Sequence, residues 1–152
     1  MENILNFVAA IMLLSASTFG FAGELVNVSG ASKTAVSGYD PVAFFTDSKP
    51  VHGSPSISTR YKGATYLFAA EEHKKLFTST PEKYLPQYGG FCAYGVGRGK
   101  LVEVDINTWQ VRDGKLYLNL SPDVLKKFNA DIEGNLAKAE KNWPGLVRKN
   151  AK

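Results

Sequence analysis

Few side chains in this 152-residue chain combine a reactive atom with a spacing that chemistry uses. Cys92 is the only cysteine, and His52 and His73 are the only histidines. A thiol nucleophile at Cys92 needs one of those imidazoles as its base. His73 falls in the charged run Glu71-Glu72-His73-Lys74-Lys75, where a solvated side chain is expected, and His52 sits in a loop. One cysteine permits neither an intramolecular disulfide nor a CxxC pair, so the fold must be held by its apolar core. Glu71 and Glu72 are neighbours on an expected helix and do not face each other. Glu103 and Asp105, two apart on an expected strand, share one side, which reads as a cation-facing edge or a solvent face. The run Gly95-Val96-Gly97-Arg98-Gly99 fails both phosphate-loop tests. A dinucleotide fingerprint needs glycine where Lys100 stands, and a P-loop needs Ser or Thr where Leu101 stands.

These residues must be positioned by an α+β arrangement. Asp40 and Pro41 form a cap-plus-proline helix start, opening a short helix that presents Val42, Phe44 and Phe45. Residues 57–68 read as a hairpin about Lys62-Gly63, with Ile57, Thr59, Tyr61, Ala64, Tyr66 and Phe68 on one face. Residues 70–78 follow as a helix with Leu76 and Phe77 turned inward, and Thr80-Pro81 starts another turn. Gln87 to Lys100 holds five glycines and three aromatics, Tyr88, Phe91 and Tyr94. Asp113-Gly114 signals a second hairpin, pairing Val111 with Leu116 and Trp109 with Leu118. A long helix starts at Ser121-Pro122, carries an apolar stripe from Leu125 to Trp143, is weakened at Gly134 and ends at Pro144-Gly145. The expected fold is a small antiparallel sheet of two hairpins with short helices and a long C-terminal helix packed on it.

Residues 1–22 read as a signal peptide: an apolar stretch, then small residues, then a cut after Ala22. The apolar stretch is shorter than the roughly 17–25 residues of a spanning helix, so no stable membrane span is expected after cleavage. No Lys or Arg precedes the apolar stretch, and a retained anchor or buried helix is the alternative. All 18 Lys and Arg lie beyond residue 22, giving the chain a net charge of +4. They are dispersed, with pairs such as Lys74-Lys75 and Lys126-Lys127, and the concentrated basic face of a nucleic-acid binder is missing. The expected organisation is a signal peptide over 1–22, an extended lead-in over 23–35, one domain over 36–147 and a basic tail over 148–152. The expected location is the periplasm or the extracellular space.

Three groups of residues together resemble the YHS-domain family. They are Gly38-Tyr39-Asp40-Pro41-Val42-Ala43-Phe44-Phe45; Tyr61-Lys62-Gly63 with Tyr66, Phe68, Phe77, Pro81 and Tyr84; and Pro86-Gln87-Tyr88-Gly89-Gly90-Phe91-Cys92-Ala93 with Asp113 to Asn119 and Asn142-Trp143-Pro144. The last group resembles the longer, exported bacterial subgroup, and the likeness covers roughly residues 36–145. For shorter members the resemblance implies metal handling, with three cysteines that map here onto Ala43, Ala69 and His73. Alanine cannot coordinate a metal, and one imidazole does not close a site. Cys92 with His73 is the remaining candidate pair for copper or zinc, because thiolate plus imidazole suits both. Packing competes for Cys92, since free cysteines are among the most buried residues.

The first functional expectation is an exported, non-enzymatic binding module for a small or hydrophobic ligand, with Tyr88, Phe91 and Tyr94 as pocket candidates. Core packing is the competing role for those aromatics. The second is a metal-binding accessory protein using Cys92 and His73. The third is a thiol enzyme with Cys92 as nucleophile.

Overall fold

A computed structural model describes residues 24–151. The segment read as a signal peptide, 1–22, lies outside the described residues. The chain has an α+β fold. Strands β1 (Val28–Ser29) and β2 (Thr34–Ala35) precede helix α1 (Ala43–Thr46) and the hairpin of β3 (Ser54–Tyr61) and β4 (Ala64–Phe68). Helices α2 (Glu71–Ser79), α3 (Pro81–Tyr84) and α4 (Ala93–Gly97) follow. A second hairpin, β5 (Asp105–Arg112) and β6 (Lys115–Asn119), leads to α5 (Pro122–Ala130) and α6 (Ile132–Asn150).

Both hairpins turn where the sequence places them. Lys62-Gly63 and Asp113-Gly114 each put two consecutive residues at positive φ, the conformation of a tight turn that matches strand twist. Thr59 pairs with Tyr66, Tyr61 with Ala64, Trp109 with Leu118 and Val111 with Leu116. The hairpins do not share one ladder. The first lies in a four-stranded sheet of order β1-β2-β4-β3, in which β2 and β4 run parallel, and the second is a separate two-stranded sheet. Each hairpin has an apolar face that must be buried against another layer. Ala64, Tyr66 and Phe68 accordingly meet Leu116 and Leu118 in one core, joined by Phe44 and Phe77.

A second core holds Tyr88, Val96, Phe128 and Ala139, with Leu136 and Trp143 packed against it. It meets the opposite face of β6 through Tyr117. Strand β6 is thus buried on both sides, beyond the one-sided covering that its alternation suggests.

The long C-terminal helix is two helices. Asp131 leaves helical geometry at φ −145° and ψ 69°, and its carboxylate accepts a bond from Gly134 N–H at 3.1 Å to start α6. A side chain at Gly134 would collide with that capping carboxylate, so the glycine makes room for the cap. Pro144 does not end the helix; α6 runs on to Asn150. An interior proline costs about 3 kcal/mol in an isolated helix, but Trp143 and Leu146 pack on the second core and hold the turns on either side. In α2, Phe77 is buried whereas Leu76 is exposed, because adjacent helical positions point about 100° apart. Among the described residues, no helix is long and apolar enough to cross a membrane.

Candidate functional site

Two places gather functional side chains. The first centres on Asp40, which is 0% exposed. Its carboxylate accepts from Val42 N–H at 2.8 Å and Ala43 N–H at 3.3 Å, which fixes the start of α1. It also accepts from Ala69 N–H at 2.8 Å and from Nδ1 of His73 at 2.6 Å. A carboxylate only accepts, so Nδ1 carries the donated proton. Nε2 lies 3.3 Å from Oγ1 of Thr46 and 3.7 Å from Asp47. His73 is therefore held against Asp40, not solvated as its charged surroundings suggest, because α2 starts directly after β4 and its first turn lies over the Asp40 carboxylate. The backbone N–H groups of Ala43 and Ala69 and the imidazole of His73 all converge on this one side chain. Asp40 thereby ties α1, the end of β4 and α2 together.

Cys92 lies in different surroundings. It is buried, its N–H bonds Val102 O at 3.0 Å, and its thiol lies 3.5 Å from Oδ1 of Asn119. The same oxygen accepts from Tyr94 N–H at 3.1 Å, so Asn119 anchors the start of α4 beside the thiol. Cys92 and His73 have no hydrogen-bond partner in common. Among the described residues no group of three or more His, Cys, Asp and Glu is gathered as a metal site. Alkylation of Cys92 by iodoacetamide is expected to run at least about a hundredfold slower in the native protein than in urea, since attack requires opening of the core. A native rate within a few-fold of the unfolded rate, followed by mass spectrometry, would contradict this burial.

The second place is an open cleft of about 290 Å³ where the two cores meet. Tyr66 comes from the first core, while Tyr88 and Trp143 come from the second, their rings 5.9 Å apart and edge to face. Tyr88 stands at φ +55°, an uncommon conformation for a residue with a side chain. Its hydroxyl is fixed by a 2.8 Å bond to Glu140. Burial first, and then that bond, push its pKa well above the usual tyrosine range. Glu24, Leu25 and Val26 form one wall of the cleft, and the next residue, Asn27, bonds Gly89 O through its N–H at 2.8 Å. A side chain on Gly89 would collide with the Leu25 carbonyl, and Gly89 also stands at φ +62°, so only glycine lets this wall close. Glu24 and Glu82 line the cleft, and both pair with Lys62. Tyr61 also donates to Glu82 at 2.6 Å, and the bonds from Lys62 and then Tyr61 hold that carboxyl below its usual range.

Of the three aromatic pocket candidates, Tyr88 lines this cleft. Phe91 and Tyr94 pack against the second core, and Tyr94 lies under Arg98, whose guanidinium bonds its hydroxyl at 2.6 Å. Tyr66, Trp143 and Glu82 come from segments that carry no mutual signal in the sequence. The carboxylates Glu103 and Asp105 are engaged separately, Glu103 by Asn27 and Asp105 by Asn107.

Fold and cleft together define an α+β protein with an aromatic hollow between two cores. No protein-family model, no curated protein and no solved structure matches the chain.

Proposed function

We propose that this protein is an exported, non-enzymatic binding module of the YHS-domain type whose cleft holds a small, largely apolar ligand. The observation that carries the reading is the convergence of Tyr66, Tyr88 and Trp143 on one open hollow of about 290 Å³. Small-molecule sites are concave and mostly apolar, with a few polar groups at fixed places, and here those groups are Glu24, Glu82 and Gln87. At this volume the ligand is at the small end of the usual range. The left-handed backbone at Tyr88 adds to the case, since uncommon conformations of this kind persist where surrounding structure holds them and cluster at ligand sites. The sequence likeness to the exported YHS subgroup supports the location.

The test is titration with p-cresol, followed by amide and indole NMR signals. Shifts are expected at Gln87, Tyr88, Gly89 and the Trp143 indole. Val147 lines the cleft from α6, and Val147→Phe, which fills it from the helix surface, is expected to weaken binding at least about tenfold. Shifts scattered over the surface, or unchanged affinity in that variant, would overturn the reading.

A further inference from the structure

We propose that the cleft selects a small organic cation, an amine or quaternary ammonium with an apolar body, an inference that rests on the reading of the cleft as a ligand site. The chain as a whole is basic, with a net charge of +4, yet the described residues that line this cleft include two carboxylates, Glu24 and Glu82, and no Lys, Arg or His. The ammonium that pairs with both carboxylates, Lys62, is not part of that lining. The charged groups in the lining itself are thus both acidic, and Lys62 offsets one of the two charges from outside it. Three electron-rich rings, Tyr66, Tyr88 and Trp143, line the cleft as well, and aromatic faces attract cations through their quadrupoles, tryptophan most strongly. Rings plus carboxylates around one hollow form the pattern that recognises ammonium groups carrying alkyl substituents. The field is felt inside the cleft. The Tyr66 hydroxyl is pushed up by burial first, and then by Glu24 and Glu82, whose effect exceeds the opposing one of Lys62.

A cleft of this kind should separate cations from neutral molecules of the same shape. Choline and its uncharged isostere 3,3-dimethylbutan-1-ol are titrated into the purified protein, and the signals of Gln87, Tyr88, Gly89 and the Trp143 indole are followed. Choline is expected to bind at least about tenfold more tightly than the alcohol. That preference is expected to fall toward unity in the double variant Glu24→Gln/Glu82→Gln and to shrink as salt is raised. Equal affinity for choline and the alcohol would overturn the cation preference and leave the cleft as a ligand site. The preference is overturned in the same way if p-cresol shifts these signals and choline does not. If none of the three probes moves them, both the preference and the ligand site fall.

Discussion

Asp40→Ala is expected to destabilise the fold by about 3–5 kcal/mol, because it strands several hydrogen-bond donors at once. The carboxylate is fully buried and accepts from three backbone N–H groups and one imidazole. Truncation leaves those donors without their shared partner, and an orphaned buried group costs about 1–3 kcal/mol by itself. Asp40→Asn is expected to fall between wild type and Ala. The amide oxygen can still accept from Val42 and Ala43, but its NH₂ opposes the Ala69 N–H. Urea denaturation of the three proteins checks the order, and a loss under about 1 kcal/mol for Asp40→Ala would contradict the role given to this side chain.

Phe77→Ala is expected to cost about 3–5 kcal/mol, the usual range for truncating a fully buried aromatic. Its ring lies 4.9 Å from Tyr66, 5.2 Å from Phe68 and 5.9 Å from Tyr61, centroid to centroid. These three come from a hairpin that cannot collapse into the vacated space without breaking its own ladder. The neighbouring Leu76→Ala serves as the control: at 42% exposure it is expected to change stability by about 0.5 kcal/mol or less. Thermal melts that place both variants together would show that α2 does not pack as described. Because Tyr66 also lines the cleft, Phe77→Ala should loosen ligand binding at temperatures where the protein remains folded.

What the sequence discloses follows the reach of each interaction. Lys62-Gly63 and Asp113-Gly114 fix their hairpins through local backbone geometry, and Asp40-Pro41 and Ser121-Pro122 mark helix starts within a few residues. The same locality hides the rest. Asp40 is legible as a cap for Val42 and Ala43, but its bonds to Ala69 and His73 span about thirty positions and have no local signature. The break at Asp131 is masked because the apolar stripe of Leu125, Phe128, Ile132 and Leu136 keeps its helical spacing across it. Within the cleft, only Tyr88 stands out in the sequence, from its place beside two glycines. Tyr66 reads as ordinary hairpin core and Trp143 as ordinary helix stripe, and it is their meeting at the junction of two cores that makes a hollow.

Strand β6 divides those cores, with Leu116 and Leu118 facing one way and Tyr117 the other. A shared partition of this kind leaves neither half an independent wall, so neither could be cut out and kept as a working fragment. Sliding the strand by one residue would exchange the two faces, delivering a tyrosine hydroxyl to the first core and leucines to a space shaped for a ring. The tight turn at Asp113-Gly114 therefore guards the register of both halves, and slowly exchanging amides should be found together on β6 and on its neighbours in each core, lost in one common opening event.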